Sequence, residues 1–191
     1  MTNKRTSPYQ IDEMFLDRWS PRSFSSKPVS KEIARTIFEA ARWAPSCYNE
    51  QPWHFLYALE GEKHELFLSL LVKQNQIWAQ KAPLLSFLLA KNKFSFNNKE
   101  NKWAQFDCGA AWLSAALQAR KLGLHAHAMA GFKSEKAYEE LNVDPEEYTI
   151  VCAIAFGYKG DPDELPPALQ EQEIPSSRKE LSKLIQNGRF E

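Results

Sequence analysis

A mixed α/β or α+β layer structure is what this chain predicts, on three observations. Residues 84–90 and 148–156 are nearly continuous apolar runs, the pattern of strands covered on both faces. Around them lie segments whose apolar residues recur at spacings of three and four, the longest over residues 103–122. No internal repeat, low-complexity tract or linker-like composition divides the chain. With 191 residues and 43% hydrophobic content, a single domain over 1–191 has enough apolar side chains for a core.

The elements follow in order. Residues 11–19 read as a short helix, with Asp12 near its start and Met14, Phe15 and Leu16 as apolar contacts. Pro21 cannot continue it, so residues 18–24 form a turn or extended segment. Ser30 caps the next helix, which runs on Ile33, Ile37, Phe38, Ala41 and Ala44 until Pro45. Residues 54–59 read as a strand, Gly61 breaks it, and 64–72 read as a helix. After the strand at 84–90, residues 91–102 are polar and rich in Asn and Lys, the composition of a mobile surface excursion. The long helix uses Phe106, Ala110, Leu113 and Leu117 and stops at Gly123. A short helix at 134–141 precedes the second apolar strand, and a last short helix begins at Lys179. Between them Pro166, Pro167 and Pro175 keep the tail extended. About twenty residues without regular structure exceed most connections in a compact domain. Residues 157–191 therefore read either as a flexible loop or as a C-terminal arm along a partner subunit.

Composition serves mainly to exclude. The 24 basic and 24 acidic residues cancel, so no basic surplus points to nucleic acid. Charge is local instead: residues 18–42 carry six Lys/Arg against two Glu, and 161–173 carry five acids and no base. A small anion suits the basic segment better than a polyanion does. The first ten residues are polar and no apolar run is long enough to span a bilayer, so neither a signal peptide nor a membrane partner is expected. Cys47, Cys108 and Cys152 lack paired spacing, which reads as reduced thiols in a cytoplasmic protein. His125 and His127 can share a strand face, yet no third metal ligand stands at suitable spacing. Nucleophile-elbow, phosphate-loop and dinucleotide glycine motifs are missing, and no catalytic side chain is predicted.

Two runs carry chemistry. Arg18, Ser20 and Arg22 concentrate two planar guanidiniums and a hydroxyl within five positions, a donor set that suits phosphate. Pro45, Ser46, Asn49, Gln51, Pro52 and Trp53 form a Pro-bounded polar stretch between helix and strand. Its uncharged Ser and Asn can serve the polar edge of a heterocycle. Further on, Ala128, Ala130 and Gly131 flank Met129 and permit close backbone approach.

In this order and spacing the runs resemble the nitroreductase family, whose members hold flavin mononucleotide (FMN) with Arg-x-Ser-x-Arg and Pro-Ser-x-x-Asn-x-Gln-Pro-Trp. The resemblance extends from Asp17 to about Leu184. It implies an α+β fold with a central mixed β-sheet flanked by helices, an intertwined homodimer, and FMN at the interface. It further implies cofactor binding by Arg18, Trp19, Ser20, Arg22 and Arg178, with Pro45, Ser46 and Asn49 reaching the flavin of the opposite subunit. Asn75 would contact the pyrimidine, and Met129, Ala130 and Gly131 would bring backbone groups to N5. Two positions depart from the family: Ser176 stands where a basic residue is usual, and Ala130 where some members carry Glu. Asp107 reads as structural and Trp53 as core. The implied activity is transfer of reducing equivalents from NADH or NADPH through FMN to a nitroaromatic, a quinone or a similar acceptor, on which Phe94 and Phe96 could stack. A non-reductive or dehalogenase-like flavoenzyme of the same fold, and a flavin-binding or sensing module with little turnover, remain alternatives.

Overall fold

The two apolar runs become the inner strands of one sheet. The computed structural model describes residues 5–189. In it β1 (Trp53–Leu59), β2 (Leu84–Lys91), β3 (Leu124–Met129) and β4 (Tyr148–Tyr158) pair in the order β1-β2-β4-β3. Leu88 lies opposite Phe55, and Phe156 lies opposite both Leu84 and Ala126. All three pairings are antiparallel. The α+β class holds, but the parallel member of an implied mixed sheet is not supplied by the described residues.

Helices cover both faces. On one lie α2 (Lys31–Arg42) and α5 (Ala104–Lys121), packing Ile37, Ala41, Ala111 and Ala115 against Leu84, Leu88, Ile154 and Phe156. On the other lie α3 (Glu62–Ser69), α4 (Lys73–Ala79) and α6 (Ser134–Glu140), where Phe67, Leu70, Trp78 and Ala137 meet Phe87, Met129 and Ala153. Two shorter helices, α1 (Glu13–Asp17) and α7 (Pro167–Gln170), flank the ends of the chain. The Ser30 hydroxyl accepts from Ile33 N at 3.2 Å and so caps α2, while Asp12 does the same for α1.

Four expectations change. Half of the α5 stripe that reads as core faces outward: Phe106 is 75% exposed and Leu113 43%, while Ala110 packs against the core. The inward face is instead Ala104, Cys108, Ala111, Ala115 and Ala119. Small residues let α5 lie close to the sheet and α2, where Phe or Leu would not fit. The helix expected at 64–72 ends at Ser69, and Asn75 lies inside the separate helix α4. The 91–102 excursion is fastened rather than loose. Phe94 N donates to Lys99 O at 2.8 Å, Asn101 N to Asn92 O at 2.7 Å, and Ser95 N and Oγ both donate to Glu50.

The tail also turns back. Leu165 is buried, α7 begins at Pro167, and the final element is only a 3-10 turn, Leu181–Lys183. Buried Glu173 accepts from the N–H groups of Arg22 and Ser23 and from the Ser23 hydroxyl, at 2.7–3.0 Å.

Phe24 bridges to Lys159, and Gly160 N donates to Ser23 O at 2.9 Å. A Cβ on Gly160 would stand 2.5 Å from Phe24 O and 2.9 Å from Ser25 N, both backbone atoms. Gly160→Ala should therefore destabilise the fold by about 1–3 kcal/mol. Urea denaturation checks this, through a lower midpoint at unchanged slope.

Candidate functional site

Three guanidiniums gather at one end of the molecule. Arg18 is half-buried and points Nη1 toward Ser20 Oγ at 3.4 Å. Burial and the neighbouring Arg178 both push its pKa down from the usual arginine value. Arg5 shows the same direction, from burial first and then from Arg178 and Arg18. Among the described residues none of the three forms an ion pair with a carboxylate. Like charges held together without counter-charge make a site for an anion. Arg178 joins Arg18 as expected. Arg5 was missed, because an isolated arginine ahead of α1 carries no motif.

The loop bearing Arg18 is fixed from both sides. Glu173 holds its backbone, and His127 Nδ1, 2.8 Å from Pro21 O, donates to that carbonyl. The Arg22 side chain acts on His127 electrostatically. The Trp19 ring packs edge-on against His125 at 6.0 Å, with Lys159 Nζ 5.3 Å over its face.

A second junction joins Asn75 to the 129–131 segment. Asn75 Nδ2 donates to Gly131 O at 2.9 Å, and Val72 N donates to the same carbonyl at 3.1 Å. A Cβ on Gly131 would meet Asn75 Nδ2 at 2.7 Å and Val72 at 2.9 Å, so only glycine fits unmoved. Met129 sends its side chain into the core, while Ala130 is exposed. The N–H groups of Ala130 and Gly131 donate to nothing among the described residues. Trp78, on the same helix as Asn75, packs 4.6 Å from His127 and ties this junction to the cationic loop.

Pro45, Ser46 and Asn49 stand elsewhere. Ser46 Oγ accepts from Gln51 N at 2.9 Å, and Tyr48, Asn49 and Gln51 have φ of 53°, 56° and 52°. Three non-glycine residues in the left-handed region store strain of the kind seen at binding loops. Buried Asp107 accepts from Cys47 N at 3.0 Å and anchors this loop, the structural role expected of it. Tyr48, 80% exposed, stacks edge-on with Phe94 and Phe96 at 5.9 and 5.6 Å. The Asp107 end adjoins Leu89, opposite Ile150, whereas the cationic loop adjoins Tyr158 and Lys159. At about 3.3 Å per residue along β4, the two motifs are roughly 20–30 Å apart. A cleft of about 740 Å³ between α2 and β1, lined by Arg35, Phe38 and Tyr57, contains none of the expected site residues.

The sequence pattern described as Nitroreductase family matches residues 16–77 and 58–158. The chain belongs to the nitroreductase family. An Archaeoglobus fulgidus relative, whose name pairs NADH dehydrogenase with NAD(P)H nitroreductase, is 32% identical over 157 residues, covering 78% of this chain and 85% of its own. Nitrobenzene nitroreductase of Ectopseudomonas oleovorans is 45% identical over 60 residues, 31% of this chain and 26% of its own. The crystal structure of an oxidoreductase containing FMN superposes with a TM-score of 0.94 at 41% identity, over 100% of this chain and 98% of that one.

Two features of this nitroreductase-family site follow from its own residues. Ala130 offers no carboxylate beside the 130–131 N–H groups, and no group of three or more His, Cys, Asp or Glu among the described residues is arranged to hold a metal. His125 is buried with Nδ1 unpartnered, and burial, with Arg120 and Lys159 adding to it, brings its pKa down to about 4. An unfolded histidine titrates near 6.5, so the unfolded chain binds more protons between about pH 6.5 and pH 4. Stability is therefore fully present above pH 6.5 and falls by up to about 3 kcal/mol as pH drops through that window. His127, also lowered by burial, adds in the same sense. Urea unfolding at pH 7, 6, 5 and 4 should show this slope, and His125→Gln should flatten part of it.

Proposed function

We propose that this nitroreductase-family oxidoreductase binds FMN and uses NADH or NADPH to reduce a nitroaromatic, a quinone or a similar flat acceptor. The observation that carries the reading is the carboxylate-free convergence of Arg18 and Arg178 from distant parts of the chain. A terminal phosphate dianion fits such a set better than an internal diphosphate, since the guanidinium forks match its oxygens. Trp19, Ser20 and Arg22 belong to the same phosphate-side loop. The open N–H groups of Ala130 and Gly131, beside the Asn75 amide, suit a polar ring edge that accepts charge. When bound, FMN supplies the electron-carrying chemistry, while these residues orient it and stabilise charge. No nucleophile or acid catalyst is required of the chain. Tyr48, Phe94 and Phe96 offer aromatic faces to a flat acceptor.

The separation of the two motifs supports a homodimer. Pro45, Ser46 and Asn49 cannot meet a ligand bound by Arg18 in the same chain across roughly 20–30 Å. In a pair of chains each completes the site of the other. The outward stripe of α5, with Trp103, Phe106 and Leu113 exposed, is the apolar face such a pair would bury. Within the single domain, the tail as far as Glu173 is tied to its own chain. The partner-directed arm then starts at Ile174, with Leu181, Leu184 and Ile185 as exposed apolar contacts. No helix among the described residues is long and apolar enough to cross a membrane, and a cytoplasmic location is proposed with the enzyme.

Four measurements test this reading. Chromatography of the flavin released from purified protein should identify FMN, and the dinucleotide as sole flavin would overturn the assignment. Arg178→Ala, at an exposed side chain that among the described residues hydrogen-bonds only to Ser176 and Ser177, should keep the fold and lose about 10- to 150-fold in FMN affinity. A chain ending at Glu173 should sediment as monomer or aggregate without flavin. A soluble monomer with stoichiometric flavin would sink the shared site. Steady-state oxidation of NADH or NADPH with an added nitroaromatic or quinone separates the enzyme from a binding module.

A further inference from the structure

We propose that Arg5 is a third phosphate-binding cation, which replaces in space the basic side chain that the C-terminal element lacks at Ser176. The inference rests on the FMN reading above and adds to it a residue outside the family's motifs.

Arg5 is placed by three backbone carbonyls. Its Nε donates to Ser176 O at 3.0 Å, and its Nη1 donates to Arg18 O at 2.8 Å and to Leu16 O at 3.3 Å. One guanidinium thus sits between the backbone of Arg18 and that of Ser176, two residues before Arg178. The N–H groups on Nη2 have no partner among the described residues and are left to bind a ligand. Glu13 and Asp17 line the same cleft of about 430 Å³, but neither pairs with Arg5, and Asp17 is engaged by Arg120 at 2.7 Å.

The charge is what needs explaining. A neutral amide could hold two of these carbonyls, and it would not repel Arg18 and Arg178. An arginine kept here costs Coulomb energy and desolvation unless an anion offsets them. The lowered pKa values of Arg5 and Arg18 report the same repulsion. Ser176 itself contributes only a hydroxyl, which accepts from Arg178 Nη1 at 3.1 Å. The missing cation therefore enters from the other end of the chain, through the contact that ties the two termini together.

The test compares FMN with riboflavin, which has the same ring system and no phosphate. Dissociation constants are read from quenching of flavin fluorescence for the wild type, Arg5→Gln, Arg5→Lys and the double variant Arg5→Gln/Ser176→Lys. The expected result is an FMN affinity about tenfold or more weaker in Arg5→Gln, with riboflavin affinity unchanged. Arg5→Lys keeps a charge and should retain most FMN affinity, and the lysine at 176 should restore what Arg5→Gln loses. The dependence of FMN affinity on salt should also become shallower in Arg5→Gln. Unchanged FMN binding in Arg5→Gln would overturn the proposal. So would equal losses for both flavins, or a loss that Ser176→Lys fails to restore, since either marks a purely structural tether. If Arg5→Gln does not fold, FMN and riboflavin binding by Arg5→Met, which also removes the charge, decides on the same criterion. Failure of the wild type to bind FMN at all is a different outcome, because it removes the FMN reading before any variant is compared.

Discussion

The carboxylate of Glu173 is buried and accepts from the N–H groups of Arg22 and Ser23 and from the Ser23 hydroxyl. Hydrogen bonds to a charged group contribute about 1.5–3 kcal/mol each, and a buried carboxylate without partners would cost more than that. The contact spans some 150 residues of chain. It pins the start of the tail beneath the loop of Arg18, so that Ser176 and Arg178 arrive beside Arg18 and Arg5. The carboxylate spends its charge on backbone donors and leaves the guanidiniums unpaired. The result is a rigid cationic end built partly by an acid.

The sheet distributes the rest of the chemistry. β4 runs from the neighbourhood of the strained loop at 45–51 to the cationic end, and its length keeps the two motifs apart. Between them, α4 carries both Asn75 and Trp78. Through these it links the 129–131 backbone to His127 and so to the Arg18 loop. Each chain thus carries a cationic cluster at one end and a polar, aromatic loop at the other, the two halves of the shared site proposed above. The alanine face of α5 seats that helix deep in the core and turns Phe106 and Leu113 outward, the apolar face of the proposed dimer.

Much of this was legible in the sequence. Ser30 caps the second helix, Gly123 ends the long one, and the runs around Leu84 and Ile154 are inner strands. Arg178 lies near enough to Arg18 to repel it electrostatically, and Asn75 reaches Gly131. The misreadings have physical causes. In α5 both faces carry helical periodicity, and only packing distance chooses alanine over phenylalanine for the inside. The polar composition of residues 91–102 suggested mobility, yet their Asn, Ser and Lys groups hydrogen-bond one another, Glu50 and Glu147. Prolines in the tail did not prevent a turn of helix at Pro167, since proline suits a first helical position.

By itself the sequence determined the elements, the family, and which residue types are present to hold an anion and a polar ring. Those properties depend on side-chain periodicity, caps and short motifs, all local in the chain. Tertiary structure alone decided which face of α5 is buried, that Glu173 returns the tail to its own chain, and that Arg5 joins Arg18 and Arg178. Each of these depends on groups distant in sequence meeting at hydrogen-bond or van der Waals range. No local pattern encodes such meetings, because they follow from how two layers of helices close around one sheet.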